Sequence, residues 1–181
     1  MIPDRILELE EVDSTLDWVR VHFQKMTPNS SVVFSRVQTE GRGQYGRNWY
    51  SVPGGLYFSM RICPVVEEDW ELKLIQSLSL NVVSWLQTKG IDARLKFPND
   101  VYVGSRKLMG VLVENVFSGN SLSLSILGCG LNVFQDFEEG GQDFSAVSLK
   151  QLGLYFSDLQ EVLHEVLRGW EPIKEGILWN P

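Results

Sequence analysis

"DVYVGSRKLMGVLVENVFSGNSLSLSILGCGLNV", Asp100 to Val133, decides the architecture. Runs rich in Val, Leu and Ile are divided by two short turn signals, Gly104-Ser105 and the Phe-Ser-Gly-Asn of residues 117–120. Such runs, bounded by Gly, Ser and Asn, read as strands linked by hairpins. Outward from them, "ARLKFP" (Ala93–Pro98) adds a strand on the N-terminal side. Before it, Trp70, Leu74, Leu78, Val82 and Trp85 line one side of a helix running from about Trp70 to Lys89, with Gly90 as its C′ residue. Further back, "SVVFSRVQ" (Ser31–Gln38) and "GGLYFSMRI" (Gly54–Ile62) are strands, the second opening after the break at Pro53-Gly54-Gly55.

The ends of the chain carry weaker signals. "RILELEEV" (Arg5–Val12) alternates enough for a first strand, and "EVDSTLDWVRVHFQK" (Glu11–Lys25) reads as a helix. Asp13, Ser14 or Thr15 would cap that helix, with Leu16, Val19 and Phe23 on one face. Near the C-terminus, Ser157 and Gln160 predict a capping box for a helix carrying Leu159, Val162, Leu163, Val166 and Leu167. "QDFEEGGQDFS" (Gln135–Ser145) is expected to be a surface loop. Hairpin runs with helices between them, rather than a βαβ alternation, give an α+β class. The chain is predicted to be a single domain over residues 1–181 with a helical end at 155–181.

Composition limits the function. An apolar share of 44% supports a packed core and is far from disordered composition. No apolar run approaches the roughly 18 residues of a membrane span, and "MIPDRILELEEVD" is not a signal peptide. Cys63 and Cys129 lie far apart, each in apolar context, so they are expected to be buried thiols in a reducing cytoplasm. With His22 and His164 as the only histidines, the usual zinc ligand sets are not available. An excess of 23 acidic over 16 basic residues argues against DNA or general nucleic-acid binding.

That charge is unevenly spread. Residues 36–47 hold Arg36, Arg42 and Arg47 against Glu40, and residues 94–107 hold Arg94, Lys96, Arg106 and Lys107 against Asp100. Two separate segments with the same bias point to a local anion site on an acidic body. The first contains "GRGQYGRNW" (Gly41–Trp49), which is neither a dinucleotide fingerprint nor a P-loop. Its glycines let backbone amides approach a ligand closely, and Arg42 and Arg47 suit carboxylate or phosphate oxygens. Little apolar anchoring precedes Trp49, so the loop is expected to be mobile until an anion orders it. In the second segment, Pro98 restricts the backbone ahead of it and the hairpin delivers Lys107.

"GRGQYGRNW", then "KFPNDVYVGSRKLMGVLVEN" (Lys96–Asn115), then "GCGLNV" (Gly128–Val133) together resemble the catalytic domain of biotin–protein ligases. The resemblance runs in order from Val12 to Val133, about two thirds of the chain. It implies a mixed, largely antiparallel sheet packed against helices, related to class II aminoacyl-tRNA synthetases. It also implies a two-step reaction: biotin and ATP, with Mg²⁺ on the phosphates, give biotinyl-AMP, and a lysine of a biotin carboxyl carrier protein domain then accepts the biotinyl group. Carried over by position, the catalytic cations are Lys107, Arg42 and Arg47. Ser14, Thr15 and Gln38 would bond the ureido end of biotin. Gly41 and Arg42, with Gly43, would fold over the ligand, with Gln44, Lys96, Asn99, Asp100, Gly110 and Asn132 completing the substrate site. Asp100 would orient Lys107 or help hold the metal, whose ligands the sequence leaves open. A lipoate or octanoate ligase of the same fold is a rival, though its Arg-Arg-x-x-Gly-Gly-Gly loop is missing. A non-catalytic binder of biotin or its adenylate is another. An exposed sheet edge would allow a homodimer.

The departures from the family pattern are as informative. Leu16 stands where the family usually has asparagine, and Phe97 where it has tryptophan. No winged helix precedes residue 12, so no repressor role is expected, and no C-terminal β-barrel is expected in the 48 residues after Val133. Gln44 stands where the family usually has a phosphate-facing arginine. Restoring it with Gln44→Arg should slow loss of biotinyl-AMP about tenfold or more, since a charged hydrogen bond is worth about 1.5–3 kcal/mol. Chasing labelled adenylate with unlabelled ligand measures this, and equal off-rates would mean that residue 44 points elsewhere.

Overall fold

The computed structural model describes residues 3–63, 69–137 and 145–171. Seven strands form one sheet: β1 (Arg5–Val12), β2 (Ser31–Gln38), β3 (Gly55–Ile62), β4 (Ala93–Lys96), β5 (Asp100–Val103), β6 (Arg106–Ser118) and β7 (Ser121–Asn132). Their order is β1-β2-β3-β7-β6-β5-β4, with β1 parallel to β2 and every other neighbour antiparallel. The β5–β6 connection is the two-residue turn expected at Gly104-Ser105. Strand β6 runs on through Phe117 and Ser118, so the β6–β7 connection is Gly119-Asn120 rather than all four residues of Phe-Ser-Gly-Asn. Both glycines sit at φ 59°. The α+β class read from the hairpin runs, and the mixed, largely antiparallel sheet that the family resemblance implied, are therefore present.

Alternation along the strands separates two faces. On one, Phe34, Leu56, Phe58, Met60, Val111, Leu127 and Leu131 pack with helices α2 (Trp70–Thr88) and α3 (Leu159–Leu167) in the main core. On the other, Val33, Leu112, Leu124 and Ile126 pack with Leu16 and Val19 of helix α1 (Thr15–His22) in a smaller one. The eight-residue α1 leaves part of that second face free of helix. Strand directions bring Val12, Gln38, Gly55, Asn132 and the start of β6 to one end of the sheet. The turn into α1 and the 39–54 loop leave from this same end, which makes it the place where a site can assemble.

Several local expectations shift. Helix α1 ends at His22 and continues as a 3₁₀ turn at Phe23–Lys25. The C-terminal helix starts one residue later than the capping box predicted. Asp158 accepts from the Glu161 amide at 2.8 Å, and Glu161 reaches back to the Ser157 amide at 2.7 Å. The Ser157 amide and hydroxyl, both donating to it, hold the Glu161 carboxyl below its usual pKa. Cys129 is buried, which pushes its thiol pKa up, but Cys63 is exposed, because it lies just past the end of β3. Most of the expected 135–145 surface loop, and residues 172–181 of the helical end, lie outside the described residues. Among those described, no helix is long and apolar enough to cross a membrane.

Candidate active site

The site begins with missing side chains. Gly110 of β6 pairs with Gly130 of β7, and Gly128 points to the same face two residues back along β7. A Cβ on Gly130 would stand 2.4 Å from Trp49 Cε2, and one on Gly110 would stand 2.9 Å from Trp49 Cζ3. A Cβ on Gly128 would meet Leu16 Cδ2 at 2.8 Å. The three glycines open a trough in the α1 face, and Trp49 and Leu16 lie over it. A cavity of about 140 Å³ remains between this trough, the start of α1 and the glycine-rich loop.

One end of the cavity is polar and neutral. Gln38 Oε1 accepts from the Thr15 amide at 2.8 Å and from Thr15 Oγ1 at 3.0 Å, while Gln38 Nε2 donates to Ser51 Oγ at 2.9 Å. Thr15 Oγ1 also lies 2.8 Å from Ser59 Oγ. Beside them Ser14 Oγ is buried without a partner, although Ser14 is the N-cap residue of α1. An unsatisfied buried hydroxyl costs about 1–3 kcal/mol unless something bonds it.

The other end is cationic. Lys107 Nζ lies 2.8 Å from Asp100 Oδ1 and 4.9 Å from the centre of the Trp49 ring. The Lys107 backbone is pinned as well. Its amide donates to Ser145 O at 2.7 Å, and its carbonyl accepts from the Val147 amide at 3.0 Å. Asn132 Nδ2 donates to the carbonyls of Lys107, at 3.3 Å, and Val147, at 3.2 Å. A register shift of β5 against β6 beside Lys107 re-aims the side chains there. Arg47 and Gln44 also line the cavity, with Arg47 Nε donating to Gln44 O at 3.2 Å. Asn99 lines it too, its Nδ2 donating to Val111 O at 3.0 Å.

The loop is not the unanchored segment its composition suggests. It folds as a small hairpin: Arg42 bridges Asn48, the Gly43 amide donates to Arg47 O at 2.7 Å, and the Trp49 amide donates to Gly41 O at 2.9 Å. Gly41 is buried, with Ser51 Oγ only 2.4 Å from where a Cβ would stand. Arg42 is bound on both sides by carboxylates, those of Asp17 on α1 and Glu114 on β6. Asp17's hydrogen bonds are the main reason its pKa rises above the ordinary arginine value. Backbone bonds, an ion pair and the indole on the glycine trough thus replace the missing apolar anchors.

Of the residues that sequence reasoning selected, Thr15, Gln38, Arg42, Gly43, Gln44, Arg47, Asn99, Lys107 and Gly110 line the cavity. Asp100 reaches it through its ion pair with Lys107, while Ser14 immediately precedes the lining residue Thr15 and Gly41 is buried beside Gln38 and Ser51. Lys96 is not brought in: it stands on exposed β4 with its Nζ 4.6 Å from the Tyr102 ring. Asn132 spends its amide on backbone carbonyls at the base of Lys107. Arg36 turns instead to Glu8 on β1 and Arg94 to Asp92, so only part of the basic bias converges. Gly128, Gly130 and Asp17 were missed. Glycines two apart in a strand share one face, and that spacing was the available signal. Among the described residues, no group of three or more His, Cys, Asp or Glu side chains is placed to hold a metal ion.

The profile of the biotin/lipoate A/B protein ligase family matches residues 9–132. The biotin–[acetyl-CoA-carboxylase] ligase of Mycobacterium tuberculosis is 32% identical over 146 residues, covering 77% of this chain and 52% of the relative. The bifunctional ligase/repressor BirA of Bacillus spizizenii is 29% identical over 170 residues, covering 84% of this chain and 51% of the relative. The chain thus spans about half the length of the curated relatives it matches. In three dimensions it is similar to the biotin protein ligase of Aquifex aeolicus solved with biotin and ATP. The TM-score is 0.75 and the identity 36%, over 91% of this chain and 68% of that one.

The glycine trough makes its own prediction. Gly130→Ala places a methyl group where Trp49 lies, so the indole must leave. Overpacking of this kind costs about 1–3 kcal/mol, and the melting temperature should fall accordingly. Tryptophan emission should move to longer wavelength, and the difference should vanish in a Trp49→Phe background. An unchanged emission spectrum would mean that the ring does not rest on Gly130.

Proposed function

This chain belongs to the biotin/lipoate A/B protein ligase family, and from that premise we propose that it is the catalytic domain of a biotin–protein ligase. It would join biotin to ATP as biotinyl-AMP and pass the biotinyl group to a lysine of a biotin carboxyl carrier domain. The polarity of the cavity carries this reading: a neutral hydrogen-bonding end at Thr15 and Gln38, an apolar middle at Leu16 and Leu112, and a cationic end at Lys107 and Arg47. Biotin has the same sequence of parts, a ureido ring with donors and acceptors, an apolar chain and a carboxylate. The orphaned Ser14 hydroxyl suits the ureido group. A lipoyl or octanoyl chain offers nothing polar to that end.

In the first step a carboxylate oxygen attacks the α-phosphorus and the bond to pyrophosphate breaks. Two anions must meet, so fixed cations offset their repulsion and the charge of the transition state. Lys107 would supply one, held at the cavity rim by Asp100 and the Trp49 face. Arg47 would supply another. Mg²⁺ would arrive on the phosphates of ATP as part of the substrate, since Asp100 is engaged by Lys107. In the second step the carrier amine attacks the acyl carbon, the C–O bond to AMP breaks, and an amide forms. The ammonium of Lys107 then faces the oxyanion that develops on that carbon.

Biotin-dependent release of pyrophosphate from ATP, followed by incorporation of labelled biotin into a carrier domain, tests the proposal. A binding protein gives neither, and a lipoate ligase gives both with lipoate instead. Lys107→Ala should lower pyrophosphate release by roughly 10²–10³, the usual loss on removing a charge-stabilising donor. A variant within a few fold of wild type would remove Lys107 from the reaction.

A further inference from the structure

Arg42 lines the cavity, yet its charge is already claimed. Nη2 donates to Asp17 Oδ1 at 2.9 Å and Nη1 donates to Asp17 Oδ2. Nε donates to Glu114 Oε1 at 3.3 Å, and Nη2 also donates to Glu114 Oε2 at 3.2 Å. A guanidinium has five N–H donors, and these contacts to two carboxylates leave little for a phosphate. Arg20, one turn beyond Asp17, donates to Glu114 as well and lies 3.9 Å from Asp17 Oδ1. Two arginines therefore face two carboxylates, and the cluster is close to neutral. It joins three parts: the loop through Arg42, helix α1 through Asp17 and Arg20, and strand β6 through Glu114.

We propose that Asp17 and Glu114 are positioning residues, which act through Arg42 to fasten the 41–49 loop over the cavity. The placement makes the fastening useful. Asp17 lies two residues after Thr15, on the helix whose start forms the neutral end of the cavity. Arg42 precedes Gly43 and Arg47, which line the cationic end. One ion-paired cluster thus holds the two ends of the site in register, and Arg42 belongs to the frame rather than to the charge offered to substrate. The proposal deepens the ligase reading, because it names what holds that site closed. The side chains are half-exposed, at 34% for Arg42, 37% for Asp17 and 22% for Glu114, so salt should weaken the fastening.

The test compares Asp17→Asn and Asp17→Glu with wild type in the ligand-free full chain. Exposed charged pairs are worth up to about fivefold in an equilibrium. Tryptic cleavage after Arg47 should therefore be about three- to fivefold faster in Asp17→Asn and close to wild type in Asp17→Glu. Melting temperatures should agree within about 2 °C across the three, because the surface change is small. In the pyrophosphate assay, Asp17→Asn should raise the KM for ATP while Asp17→Glu leaves it unchanged. Equal cleavage rates in all three proteins would overturn the proposal. So would cleavage that rises only in step with a fall in melting temperature. Cleavage needs no biotin, so a wild-type protein that releases no pyrophosphate would refute the ligase reading alone.

Discussion

The site depends on a floor without side chains. A sheet face normally buries itself by projecting large residues against a helix. Here β6 and β7 withhold them at Gly110, Gly128 and Gly130, and α1 is too short to cover the gap. What covers it is a loop residue, Trp49, and the first turn of α1 through Leu16. The order of construction follows. The sheet sets the trough, the trough receives the indole, and the indole anchors the loop whose arginines and amides border the cavity. Lys107 rises at the trough's edge, where its ammonium meets the face of the same indole.

Charge is distributed by the same frame. The chain carries a formal net charge of −7, yet the cavity's cationic end faces any incoming anion. Each cation in the region has a different degree of engagement. Arg42 is bound by two carboxylates, Lys107 by one, and Arg47 by backbone and ring contacts. A half-buried lysine paired with a carboxylate keeps a fixed direction, and a fixed, partly shielded charge is worth more than a mobile one in water. Carboxylates beside an anion site are therefore part of how its cations are aimed.

Much of this was legible in the sequence, because the signals were local. The Gly104-Ser105 and Gly119-Asn120 turns fixed the hairpins, and the period of Trp70, Leu74, Leu78 and Val82 fixed α2. Lys107, Asn99 and Gly110 line one cavity with Arg42, Gly43, Gln44 and Arg47 of the glycine-rich loop. What could not be read was set by long-range pairing. The parallel register of β1 on β2, the exposure of Cys63 and the outward turn of Lys96 depend on where strands end against their neighbours. The Arg42–Asp17 pair spans α1 and the loop, and nothing in either segment alone announces it. Composition misjudged the loop because polar residues can anchor a segment by hydrogen bonds and ion pairs as well as apolar ones do by burial.

The central claim is that the cavity above the glycine floor takes biotin and ATP together. Thermal unfolding with biotin, with MgATP and with both tests it directly. At about 100-fold excess over the dissociation constant, ligand linkage adds about 2.7 kcal/mol. For a chain of this size that raises the melting temperature by roughly 5–11 °C. The account predicts such a rise with biotin and MgATP together, and little with lipoate in place of biotin. No rise with the pair, or an equal rise with lipoate, would contradict it.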